Sequence, residues 1–73
     1  MRENCNYIIV YSYHLNEDEE VVLGRRENYD REPSFVTWMC NNKGNNYFWG
    51  HYFEDEVDAL QDFVNRVKEE EGR

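Results

Sequence analysis

Apolar and aromatic positions along the chain fall into four short runs separated by polar turns, followed by one segment of helical period. The run Tyr7-Ile8-Ile9-Val10-Tyr11-Ser12-Tyr13 carries the β-branched and aromatic enrichment of a strand, whereas residues 1–6 are polar and expected to fray. The acidic turn Asn16-Glu17-Asp18-Glu19-Glu20 leads into Val21-Val22-Leu23, a short second strand at whose end Gly24 marks a bulge or a stop. Residues from Glu27 to Pro33 read as a loop, because Pro33 forbids a through-running helix and holds Glu32 extended. Ser34 to Cys40 is a third strand. The Asn/Gly-rich stretch Asn41-Asn42-Lys43-Gly44-Asn45-Asn46 is the strongest turn signal, since those residues accept the positive φ of a tight hairpin.

The fourth strand, Asn46-Tyr47-Phe48-Trp49-Gly50-His51-Tyr52-Phe53, has five aromatic residues among its eight. Strict alternation puts Tyr47, Trp49, His51 and Phe53 on one face and Phe48, Gly50 and Tyr52 on the other. Neither face is plainly polar, and the same holds for Tyr7 to His14, so the sheet is expected to be sticky on both sides. Register decides which set is core. A four-residue hairpin loop sets Trp38 opposite Trp49 and Thr37 opposite Gly50, a three-residue loop sets Trp38 opposite Phe48, and a slip of one residue exchanges the faces.

Beyond Glu54, the positions Val57, Leu60, Val64 and Val67, with Phe63 beside them, recur at spacings of three and four and define the apolar stripe of one amphipathic helix. Asp55 suits its N-cap, the acids of the first turn its positive end, and Arg66 and Lys68 its negative end. The elements therefore predict an α+β fold in a single domain over residues 1–73: a three- to four-stranded antiparallel β-meander (strands about 7–14, 20–24, 34–41 and 46–53) with one C-terminal helix (about 55–69) on one face. One helix covers one face, which leaves aromatics on the other for a partner or a second copy.

Composition narrows the partners. The chain of 73 residues is close to the lower limit for an unassisted core and is expected to have no room for a separate catalytic domain. Sixteen acidic against eight basic side chains give a net charge of −8, which argues against direct nucleic-acid binding and for a protein partner with a basic surface. The N-terminal residues lack a signal-peptide pattern and no run is long and apolar enough for a membrane span, so a cytoplasmic location is expected. Cys5 and Cys40 read as free thiols rather than a disulfide framework.

No catalytic residues, metal ligands or cofactor are assigned. His14 and His51 stand without a nucleophile motif or a carboxylate pair, and Cys40 beside His51 on an adjacent strand would supply only two ligands. The candidate partner-binding residues are instead acids and aromatics. Glu17, Asp18, Glu19 and Glu20 crowd the first turn, and Asp55, Asp58 and Asp62, with Glu69 farther on, run along the helix opposite its apolar stripe. Such a row steers a molecule to a basic surface, although a solvated face that keeps a small domain soluble looks the same. Tyr11, Tyr13, Trp38, Trp49 and Tyr52 are the aromatic anchors, because rings dominate binding energy at low entropic cost.

The run Phe35-Val36-Thr37-Trp38, with Tyr47 to Phe53 and the acidic helix after it, resembles a pattern in small proteins of bacteria and their mobile elements, over about the C-terminal half. Size, acidity and the lack of catalytic motifs also resemble phage-encoded anti-CRISPR proteins. That resemblance implies a non-enzymatic inhibitor occupying a nucleic-acid-binding surface of a nuclease or effector complex, and it carries no residue-level roles. The alternative is a homodimeric structural or adaptor protein that buries its open aromatic sheet face.

Overall fold

A computed structural model describes residues 2–26 and 33–72; the expected loop from Glu27 to Pro33 lies outside them except for Pro33. Five antiparallel strands follow one another as a meander: β1 (Glu3–Asn4), β2 (Tyr7–His14), β3 (Glu20–Arg26), β4 (Phe35–Asn41) and β5 (Asn46–Phe53). One helix, α1 (Glu56–Glu71), ends the chain. The α+β class and the four expected strands stand, but the sheet has a fifth strand where fraying was expected. β1 is tied to β2 by a two-residue turn in which Cys5 and Asn6 take φ of 50° and 70°, the left-handed pair that a tight hairpin of this twist requires.

The other turns follow from their side chains. Asn16 Oδ1 accepts the backbone N–H groups of Asp18 and Glu19, both at 2.8 Å, closing the acidic turn. In the hairpin between β4 and β5, Asn42, Lys43 and Gly44 all have positive φ. The four-residue loop sets Asn41 opposite Asn46, Cys40 opposite Tyr47 and Met39 opposite Phe48, but farther along Thr37 pairs with His51 rather than Gly50. Trp49 and Gly50 thus stand together across from Trp38, as a β-bulge. A second bulge lies at Val10, between the pairs Ile9–Gly24 and Tyr11–Leu23.

These bulges re-sort the faces. Tyr7 and Ile9 share a face with Gly24, whereas Tyr11 and Tyr13 share the opposite face with Leu23 and Val21. On β5, Tyr47 and Tyr52 sit on the side of Trp38, as their ring contacts record. Phe48, His51 and Phe53 pair with Met39, Thr37 and Phe35 on the helix side. Strict alternation fails in both strands because one inserted residue inverts everything beyond it.

The face without the helix is not open. Tyr7, Val22, Val36, Trp38 and Cys40 are buried there, with Ile9 and Tyr47 packed against them. The sheet rolls round to achieve this. The rings of Tyr7 on β2 and Tyr52 on β5 are 6.3 Å apart, whereas three strand spacings in a flat sheet would separate their strands by about 14 Å. Tyr7 meets Trp38 edge-on at 5.6 Å, a preferred aromatic geometry. Arg2 then bridges the sheet's two ends: its Nε donates to Tyr47 Oη at 3.1 Å and its Nη1 to Glu20 Oε1 at 2.7 Å. Its carbonyl accepts from Ile9 N at 2.9 Å. At the far end Tyr7 Oη donates to Pro33 O at 2.8 Å, and Arg26 lies over the Tyr7 ring at 4.4 Å.

The helix starts at Asp55, whose Oδ2 accepts from Asp58 N at 3.3 Å, and packs on β3, β4 and β5. Its buried positions are Ala59 and Arg66, one side of the expected stripe. Val57 and Val64 are exposed. The stripe is rotated because the sheet offers a polar group, Thr37, at the centre of the contact, and Asp62 and Arg66 turn inward to meet it.

Candidate binding surface

Trp49 is the least ordinary residue of the chain. Its φ is 54°, a left-handed conformation that glycine takes freely and a bulky side chain does not, and 70% of its surface is exposed. Glycine is available one residue later, yet it is required there. A Cβ on Gly50 would stand 2.8 Å from Trp38 Nε1 and 3.1 Å from its Cδ1. The bulge therefore sends its small residue inward against Trp38 and its large one outward into solvent. The Phe48 ring meets Trp49 edge-on at 5.1 Å and supports it from beside.

A polar joint holds the bulge to α1. Arg66 Nη2 donates to the Trp49 carbonyl, and Arg66 Nε donates to Asp62 Oδ2 at 3.3 Å. The same Asp62 oxygen accepts the Thr37 hydroxyl at 2.5 Å and lies 3.0 Å from His51 Nδ1, which places the ring proton on Nδ1. Burial works to raise the Asp62 pKa, but the Thr37 and His51 hydrogen bonds and the charges nearby outweigh it and hold the carboxyl below its ordinary value. Between β5 and the last turns of the helix lies a groove of about 210 Å³ lined by Met39, Trp49, His51, Arg66, Glu69 and Glu70.

The expected site residues separate into three kinds. Trp49, Tyr11, Tyr13 and Tyr52 are exposed aromatics. They are not one patch: Tyr11, near Phe63, and Tyr13 lie on β2, with β3 and β4 between them and Trp49 on β5. Glu17, Asp18, Glu19 and Asp58 are exposed acids, with Glu19 bonded to Asn16 at 3.0 Å. The rest have structural positions. Trp38 is core, 4% exposed, and Glu20 is 3% exposed and paired with Arg2. Asp55 caps the helix and Asp62 fastens it to the sheet. Trp38, Glu20 and Asp62 are thus corrected as partner-facing groups, since each already has intramolecular neighbours that a partner would have to displace.

Cys40 and His51 are not neighbours; Cys40 pairs with Tyr47 and His51 with Thr37, on opposite faces of the sheet. Burial and the Glu20 carboxylate raise the Cys40 thiol's pKa, so it stays protonated near neutrality. Among the described residues no three His, Cys, Asp or Glu side chains converge as metal ligands, and no helix is long and apolar enough to cross a membrane. Met39, Arg66, Glu69 and Glu70 were missed as neighbours of Trp49. Only the i, i+4 spacing of Asp62 and Arg66 hinted at the joint. Comparison with protein families, curated proteins and solved structures finds no match to this chain.

Proposed function

We propose that the protein is a small non-enzymatic protein-binding inhibitor, anti-CRISPR-like in character, that occupies the basic, nucleic-acid-binding surface of a partner. The observation that carries this reading is Trp49, a large ring held exposed in a left-handed bulge next to a glycine. Backbone strain of this kind is concentrated at functional sites, and exposed Trp is a preferred anchor in interfaces. The net charge of −8 supports the steering half of the reading. Glu17, Asp18 and Asp58 are the acids suited to it, because they are exposed and their carboxylates are not engaged in the Arg2 and Asp62 joints, in the Asn16–Glu19 bond or in the helix cap.

A homodimer formed through the face opposite α1 would find Tyr7, Val36 and Trp38 already buried there, with Tyr52 left as an exposed ring on that side. A dimer would instead use Tyr11 and Tyr13 with the exposed Val57 and Val64. Two experiments separate the readings. Charge reversal at Glu17, Asp18 and Asp58 together should leave the fold intact, weaken retention of the partner and flatten its salt dependence; unchanged retention would remove the electrostatic half. Sedimentation across a concentration series should show a monomer, and a tight dimer that retains no other protein would favour the second reading.

A further inference from the structure

We propose that the groove beside Trp49 is a receptor for one arginine side chain of the partner, with the guanidinium over the indole and against Glu69; this rests on the binding reading above and names the chemistry of its contact. The size points to a side chain. At about 210 Å³ the groove is smaller than the roughly 300–1,000 Å³ of ordinary small-molecule sites. Its charge points to a cation. Arg66 is the groove's one cation among the described residues, and it is committed to Asp62 and the Trp49 carbonyl. The exposed carboxylate of Glu69 then gives the lining a negative wall. An anion would meet like charge at Glu69, and a neutral group would desolvate that carboxylate without replacing its water.

Guanidinium suits the walls better than ammonium. It stacks on an aromatic face and offers several donors in a plane, so it can lie on the indole while donating to a carboxylate at its edge. Met39, buried beneath, gives the aliphatic stem an apolar floor. Holding Trp49 out of the sheet is what makes the wall: a residue in ordinary strand geometry at that position would point to one face or the other.

The test is calorimetric titration of the full chain with a hexa-arginine peptide at low salt, with hexa-citrulline as the neutral isostere. Wild type should bind hexa-arginine and not hexa-citrulline. Trp49→Asn, which keeps a residue tolerant of left-handed φ, and Glu69→Gln should each weaken binding at least five-fold, while the distant pair Glu17→Gln with Asp18→Asn should weaken it less than two-fold. Dispersed amide resonances establish that each variant is folded. Equal losses in groove and distant variants would overturn the groove assignment and leave general attraction to basic partners standing. Failure of wild type to bind hexa-arginine at all would overturn both.

Discussion

Trp49 and Gly50 are neighbours in sequence with opposite demands on space, and their order is the central residue-level fact. Exchanging Trp49 for glycine removes a left-handed strain of about 1–2 kcal/mol and gives up an edge contact with Phe48 of about 0.5–1.5 kcal/mol. Trp49→Gly is therefore expected to unfold within about 0.5 kcal/mol of wild type or above it, as read by denaturant midpoint. Truncating a core tryptophan costs about 3–5 kcal/mol by comparison, so a loss of that size would show that Trp49 belongs to the core. Gly50→Ala acts the other way. Its methyl would meet the indole of Trp38 at 2.8 Å, and a loss of about 1–3 kcal/mol from overpacking is expected; a neutral result would mean that the bulge yields easily.

At the scale of elements, the strand runs were legible as β-branched and aromatic clusters bounded by turn residues, and the helix as an apolar period from Val57 to Val67. The bulges were not, since nothing in Ile9-Val10-Tyr11 or Phe48-Trp49-Gly50 announces an extra residue, and each inverts the faces beyond it. Gly24 was weighed as a bulge or the strand's end; β3 runs on to Arg26, and Gly24 pairs with Ile9 at the edge of the Val10 bulge, with Tyr7 Cβ 3.0 Å from where its own Cβ would stand. β1 was illegible because Glu3 and Asn4 have little strand propensity; the residues before the turn are held by Arg2, whose partners Glu20, Cys40 and Tyr47 are remote in sequence. The helix stripe was read one flank off because Asp62 and Arg66 count as polar in any periodicity, yet here they face the sheet.

Two measurements test that rotation. Val57→Lys and Val64→Lys should each change stability by no more than about 0.5 kcal/mol, as exposed substitutions do, whereas Ala59→Leu at the buried contact should cost about 1–3 kcal/mol. The reverse order would restore the valine stripe as the packed face. The joint also sets an acid response. Asp62 has a folded-state pKa below its ordinary 3.8, so the unfolded chain takes up the proton first. The stabilisation is complete above the unfolded value and is lost as pH falls through the lower folded one. Acid unfolding followed by circular dichroism should therefore show Asp62→Asn less stable than wild type near neutrality, with the gap narrowing below about pH 4. A gap that stays constant to low pH would show that the carboxylate's charge is not what the joint uses.

For the molecule as a whole, sequence conveyed that the sheet is aromatic on both faces but not how a single helix could suffice. The answer is curvature: the meander rolls until Tyr52 reaches Tyr7, and Arg2 spans from the N-terminal end to Tyr47. That closure consumes Trp38 and Glu20, two groups whose composition and position had suggested a partner. What remains outside is an acidic surface with Trp49 at one edge and Tyr11 and Tyr13 at the other. The charge was legible from composition, because net charge needs no fold. Which acids are available was not, because pairing with Arg2, capping by Asp55 and the Asp62 joint exist only once the strands are in register.

On the proposed reading, the chain keeps Trp49 in a left-handed bulge for a partner and not for its own core. The most direct test of that reading is capture from host lysate on parallel columns of wild type and Trp49→Gly, both verified as folded. Wild type is expected to retain a basic nucleic-acid-binding protein, released by salt or by that protein's own nucleic acid, and Trp49→Gly to retain none. Equal retention on both columns would contradict it.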